Sequence, residues 1–75
     1  MTGRIESWRA DRGFGFARAP TGECVFVHVT DVAGANQFNL PQVGDVVEFE
    51  MLALARGPRA VEVRILRRAE EEDKR

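Results

Sequence analysis

The chain has 75 residues, which is enough for one small domain, and it carries 11 Lys and Arg against 12 Asp and Glu, for a net charge of −1. One cysteine and one histidine exclude an internal disulfide, a cysteine-based zinc site and a metal or catalytic site built from several histidines. Because no secretory signal pattern and no apolar run near the roughly 20 residues of a membrane span is present, we expect a cytoplasmic protein without membrane contact.

The near-neutral charge leaves nucleic acid open as a partner. Residues 70–75 hold four acids and two bases, so the remainder of the chain sums to +1. The local placement of cations, which decides whether a phosphate backbone can bind, is therefore more informative than the total.

The first half of the chain contains three segments with strand patterns. Residues 2–9 alternate loosely in polarity and lack a helix start signal, and Ala10 to Gly13 are turn residues. Residues 14–19 form the second predicted strand, and Pro-Thr-Gly-Glu at 20–23 forms a turn. Residues 24–29, which are rich in valine, form the third.

The second half begins with an irregular segment, residues 30–44, where Thr30 or Asp31 can cap one short helical turn. A loop of this length in a small domain is more often functional than a spacer. Residues 46–54 and 60–66 alternate again and are the fourth and fifth predicted strands.

Five short strands without any helical periodicity predict an all-β fold. A small barrel hides the strand edges, so we expect a five-stranded antiparallel Greek-key barrel over residues 1–68, followed by a charged tail at 69–75.

The apolar residues divide into two sets. The aliphatic set faces inward by alternation and suffices for a core: Ile5, Val25, Val27, Val46 or Val47, Phe49, Met51, Val61, Val63 and Ile65. The remaining rings are Trp8, Phe14, Phe16, Phe26 and Phe38, with His28 two residues after Phe26 and with Arg9, Arg12, Arg56 and Arg59 around them.

Exposed rings among cations are typical of proteins that bind single-stranded nucleic acid, because every base has a face that can stack on a ring. Gly13 and Gly15, which alternate with Phe14 and Phe16, would let a nucleotide backbone approach closely. The alternative is that the phenylalanines fill a second side of the core. Cys24, at a strand start, is expected to be a small hydrophobe rather than a nucleophile.

Two motifs resemble those of a known family. Arg12-Gly13-Phe14-Gly15-Phe16 and Val25-Phe26-Val27-His28 resemble the ribonucleoprotein-type motifs of bacterial cold-shock proteins, and Arg56-Gly57-Pro58 resembles the family's turn before the last strand. The similarity runs from about Gly3 to Leu66. It implies an oligonucleotide-binding barrel that binds single-stranded RNA and DNA. Any sequence preference should be modest and pyrimidine-leaning, because it is set by stacking rather than by a base code.

The same resemblance implies a role as an RNA chaperone or a regulator of transcription or translation in a stress response. The residues argue against an enzyme, because the chain has one His, one Cys, no ligand cluster and no phosphate-binding glycine loop, so we expect no cofactor, metal or small-molecule substrate. Nothing in the sequence suggests more than a monomer. The resemblance also implies the contacts. Arg12 would bind phosphate, and the stacking residues would be Phe14, Phe16, Phe26, His28 and Phe38, with Trp8 beside them and Arg56 and Pro58 at the edge.

The chain departs from the family pattern on the first strand, where Glu6-Ser7-Trp8 stands in place of Lys-Trp-Phe. Trp8 would take the family's tryptophan position only if the strand slipped by one residue, and Glu6 would repel phosphate. Val29 also stands where a third stacking phenylalanine is common. We therefore expect weaker binding than in a typical member, and a protein-interaction module on the same barrel is the alternative function.

Overall fold

The computed structural model describes residues 1–36 and 39–69. A 3₁₀ turn, Val29–Asp31, follows the third of five strands. The strands are β1 Thr2–Arg9, β2 Phe14–Arg18, β3 Cys24–His28, β4 Val46–Leu54 and β5 Gly57–Arg67. All five predicted strands are present. β5 begins at Gly57, three residues before its predicted start, because the turn between β4 and β5 is tight and Leu54 already pairs with Gly57.

The strands form a closed barrel in the order β1-β2-β3-β5-β4, which confirms the predicted five-stranded barrel. Four ladders are antiparallel, and the ladder between β3 and β5 is parallel. A closed ring with an odd number of strands cannot alternate in direction all the way round, so one parallel ladder is unavoidable. It places Arg59 beside Phe26 and Ala60 beside Val27.

Among the described residues, the fully buried hydrophobic side chains are aliphatic except for that of Phe49, which is 1% exposed. The buried hydrophobic residues are Ile5, Ala17, Ala19, Val25, Val27, Val32, Val47, Phe49, Ala60 and Val63. Six of them were predicted, Met51 and Ile65 pack partly buried against the cluster, and Val47 rather than Val46 faces inward. The core was therefore predictable from alternation, except for its alanines and Val32.

A β-bulge in β5 makes the predicted core position of Val61 wrong. Glu48 pairs with Arg64 while Glu50 pairs with Val61, so β5 holds one residue more than β4 over this interval. Glu62 adopts a left-handed conformation, φ 52°. The extra residue reverses the alternation, as bulges do. Ala60 and Val63 both face the core, and Val61 is only half-buried.

Asp45 is a buried carboxylate that connects the segment before β4 to the segment after β5. It is fully buried and accepts hydrogen bonds from the backbone N–H groups of Gln42, at 2.9 Å, and Ala69, at 2.8 Å. Arg68 Nη1 lies 2.9 Å from the same carboxylate. Ala69, the first residue of the predicted tail, is thus bonded to the barrel, while residues 70–75 lie outside the described residues.

Candidate nucleic-acid interface

Four rings converge on the outer surface of β2 and β3. Phe14 pairs with His28 and Phe16 pairs with Phe26, so all four side chains leave the sheet on one side. We call Phe14, Phe16, Phe26 and His28 the aromatic face. The intervening residues point into the barrel and are buried: Gly15, Ala17, Val25 and Val27.

Phe26 is the centre of the aromatic face. Its ring centroid lies 5.7 Å from that of Phe14, 5.7 Å from that of Phe16 and 6.3 Å from that of His28. All four residues are half-buried and none belongs to the buried core. The alternative in which the phenylalanines fill a second core is therefore wrong, and their rings form a surface.

Gly15 does not serve a ligand, contrary to the expectation from sequence. It is buried, and a Cβ built there would lie 2.2 Å from the carbonyl oxygen of Ser7 and 2.7 Å from Cε3 of Trp8. The glycine is needed because β1 passes too close for any side chain. Gly13 has φ 74° in the turn before β2, which is a conformation that favours glycine.

A bulge in β1 decides which of its side chains border the aromatic face. Ile5 pairs with Ala17 but Ser7 pairs with Phe16, which leaves Glu6 as the extra residue. After the bulge Ser7 and Arg9 share the side of the aromatic face. A small hydroxyl therefore borders the ring of Phe16.

Trp8, by the same register, pairs with Gly15 and lies on the opposite side of the strand. It is half-buried and packs against the core. Its Nε1 is buried without a hydrogen-bond partner among the described residues. The structure does not bring Trp8 to the aromatic face. Because β1 contains one extra residue, Arg9 rather than Trp8 lies opposite Phe14.

Glu6 is paired rather than isolated. Its two carboxylate oxygens accept hydrogen bonds from Nε and Nη2 of Arg18, each at 2.9 Å. Arg18 also donates from Nη1 to the carbonyl oxygen of Gly22 at 2.5 Å. The repulsion of phosphate that we expected from Glu6 is therefore offset by a cation held against it.

The hydrogen bond from Arg18 lowers the pKa of Glu6 below its ordinary value of 4.5, so the ion pair stabilises the fold above that pH and the contribution is lost as the pH falls through the lowered pKa. We predict that Glu6→Gln lowers Tm at about pH 7, and that the difference from the unsubstituted chain shrinks as the pH falls below 4.5. Thermal unfolding followed by circular dichroism at a series of pH values measures this.

Glu50→Gln, at an exposed glutamate of β4, is the control for loss of a carboxylate. A Tm difference for Glu6→Gln that stayed constant over the whole pH range would show that the ion pair with Arg18 does not form in solution.

His28 has one ring nitrogen engaged and one available. Nδ1 accepts a hydrogen bond from the backbone N–H of Thr30 at 3.2 Å and lies 2.9 Å from the hydroxyl oxygen of the same residue. An acceptor at Nδ1 places the proton of a neutral imidazole on Nε2. Nε2 can therefore donate a hydrogen bond.

The turn between β4 and β5 adds a cleft beside the rings. The cleft has a volume of about 330 Å³, and its lining consists of Phe16, Phe26, Leu54, Arg56, Gly57, Pro58 and Arg59. Arg56 and Pro58, which were predicted for the edge of the site, thus line the same cleft as Phe16 and Phe26. Sequence reasoning placed Arg59 among the flanking cations but did not give it a role, and its Cζ lies 5.9 Å from the Phe26 ring centroid.

The other predicted residues lie around or outside this surface. Arg12 is exposed in the turn between β1 and β2, where its N–H donates to the carbonyl oxygen of Arg9. Val29 is half-buried and begins the 3₁₀ turn after His28. Phe38, the remaining predicted stacking residue, lies outside the described residues.

Residues 1–36 and 39–69 contain no group of three or more His, Cys, Asp and Glu side chains that could hold a metal ion. No helix in that part of the chain is long and apolar enough to cross a membrane.

Sequence and structure comparisons relate the chain to known proteins. Residues 1–66 match the family described as the "cold-shock" DNA-binding domain. The cold shock-like protein CspC of Bacillus cereus is 38% identical over 63 residues, which cover 84% of this chain and 95% of that protein. A cold shock-like protein of Aquifex aeolicus is 40% identical over 65 residues, which cover 85% and 91%.

Among solved structures, Drosophila Unr CSD456 superposes with a TM-score of 0.64 at 26% identity. The match covers 87% of this chain but only 26% of the Unr chain, which is much longer. The overall fold is therefore shared with a solved cold-shock structure, and the chain belongs to the cold-shock domain family of nucleic-acid-binding proteins.

Proposed function

We propose that the chain binds single-stranded RNA and DNA by stacking bases on the aromatic face, without enzymatic activity and as a monomer in the cytoplasm. The observation that supports this most is the convergence of Phe14, Phe16, Phe26 and His28 on one outer surface of the barrel. The half-buried rings contact one another, and their outward sides are open to stacking by bases.

Stacking gives affinity without a sequence code. Each base stacked on an aromatic ring contributes about 1–3 kcal/mol, and cations around the rings bind the phosphates. Bases inside a duplex have their faces covered, so the aromatic face can bind only strands that have separated. A protein of this kind shifts RNA from paired to unpaired states, which is the physical basis of an RNA chaperone and of regulation through RNA structure.

Salt dependence tests the proposal directly. We predict that a fluorescein-labelled heptauridylate binds with a log–log salt slope near −2, because Arg9, Arg12 and Arg56 provide three cations and each phosphate contact on a single strand contributes about −0.7. Fluorescence anisotropy at four salt concentrations measures the slope.

A duplex of the same length is the control and should bind far more weakly, since its base faces are covered. Equal binding of duplex and single strand, or no binding of the single strand at low salt, would contradict base stacking on this surface.

The second candidate is a protein-interaction module on the same barrel, which is favoured by the altered β1 side of the aromatic face. Ser7 borders Phe16 there, and Trp8 lies on the other side of the strand. This candidate predicts that the oligonucleotide titration fails at low salt, so one experiment separates the two functions.

A further inference from the structure

Arg59 borders the aromatic face on its β5 side. The parallel ladder places it next to Phe26, and its guanidinium carbon lies 5.9 Å from the centroid of the Phe26 ring. A guanidinium plane beside an aromatic ring is attracted to it and is restricted in its orientation. Arg59 therefore approaches the base-stacking surface from β5.

Asp31 orients this guanidinium from the other side. Its Oδ2 accepts hydrogen bonds from Nε of Arg59 at 3.0 Å and from Nη2 at 2.7 Å. The side chain of Asp31 is 20% exposed and that of Arg59 is 36% exposed, so the pair is partly withdrawn from water. Asp31 ends the 3₁₀ turn that begins directly after His28, which links the pair to the aromatic face at two points.

The ion pair occupies only one edge of the guanidinium. Nη1 has no hydrogen-bond partner among the described residues, and Nη2 has one N–H beyond its bond to Asp31. Together these atoms form a second edge with two parallel donors. Arg59 lines the cleft beside Phe16 and Phe26, whereas Asp31 does not, so the occupied edge lies away from the cleft lining.

We propose that Arg59 reads guanine at the nucleotide whose base stacks on Phe26, with Asp31 as its positioning residue. Guanine presents O6 and N7 as adjacent acceptors, and a bidentate arginine contact to them is the commonest specific contact between proteins and bases. Adenine replaces O6 by an amino donor, which repels the guanidinium. The inference rests on the proposed function, since a base must first be stacked on Phe26.

The test uses heptauridylates with one central base changed to guanine, adenine, cytosine or 7-deazaguanine, titrated against the full chain by fluorescence anisotropy. The guanine oligonucleotide should bind about fivefold to tenfold more tightly than heptauridylate, the low end of the range for a bidentate contact because the site is partly exposed. 7-Deazaguanine, which lacks N7, should lose most of that gain.

Arg59→Lys keeps the charge but removes the planar fork, so the ratio of guanine to uracil affinity should fall to about one. Asp31→Asn should lower the ratio in part, because the guanidinium loses its charged partner. Arg64→Lys is the matched control on β5, where Arg64 pairs with Glu48 at 2.5 Å and does not line the cleft, and it should keep the ratio.

Four outcomes would overturn the inference. Equal affinity of the unsubstituted chain for guanine and uracil oligonucleotides would contradict guanine recognition by Arg59 but not base stacking. Preference for cytosine over guanine, or a guanine preference that survives Arg59→Lys, would assign the selectivity to another group. Failure of every oligonucleotide to bind would overturn the proposed function as well.

Discussion

Replacing Phe16 and Phe26 together by alanine is expected to weaken the binding of a single-stranded oligonucleotide by about 2–6 kcal/mol, the sum of two stacked bases at about 1–3 kcal/mol each. Phe26 contacts the other rings of the aromatic face, and both side chains line the cleft beside the β4–β5 turn. Their loss removes the central stacking position and one wall of the cleft.

The same double variant should remain folded. Both rings are half-buried and lie outside the core cluster, so the loss of their mutual contact costs about 0.5–1.5 kcal/mol together with some buried apolar area. Fluorescence anisotropy measures binding and urea unfolding measures stability in the same buffer. Leu66→Ala removes a large apolar side chain that is 50% exposed elsewhere on the barrel, and it should leave binding unchanged.

The result that would contradict this assignment is a double variant that binds as well as the unsubstituted chain. A variant that no longer folds would instead show that the rings support the barrel, and the single substitutions would then have to separate the two effects.

Phe49→Ala is expected to lower the free energy of unfolding by about 3–5 kcal/mol, the usual cost of removing a phenylalanine ring from a closed core. Phe49 is 1% exposed and is the only fully buried aromatic residue among residues 1–36 and 39–69. The surrounding residues are valines, alanines and one isoleucine, which are too short to fill the space that the ring leaves.

A chain of 75 residues has a total stability of roughly 4–11 kcal/mol at the usual 0.05–0.15 kcal/mol per residue, so this substitution removes a large part of it. Urea unfolding followed by circular dichroism measures the loss. Phe49→Leu, which keeps most of the apolar volume, should lose less. A loss below about 1 kcal/mol for Phe49→Ala would mean that the interior is not closed around the ring.

The two faces of β2 and β3 illustrate what alternation can predict. Phe14, Phe16, Phe26 and His28 recur at every second residue, and successive side chains of a strand point to opposite sides. The separation of the aromatic face from the buried valines follows from this spacing alone. The structure reproduces it because β2 and β3 pair without a bulge.

Where a strand contains a bulge, the prediction from alternation is wrong. The extra residue at Glu6 turns Trp8 away from the aromatic face, and the extra residue at Glu62 removes Val61 from the core. Whether a strand accommodates an extra residue depends on the register of the strand beside it. That register is a property of two segments and cannot be read from either one.

The sequence therefore predicts the five strands, most of the inward aliphatic residues and the rings on one side of β2 and β3, because these depend on the local period of two. Only the tertiary structure decided how distant side chains meet. The pairing of Glu6 with Arg18 spans 12 residues, and that of Asp31 with Arg59 spans 28. Closure of the barrel creates such contacts, and it brought Arg59 beside Phe26, where guanine recognition is proposed.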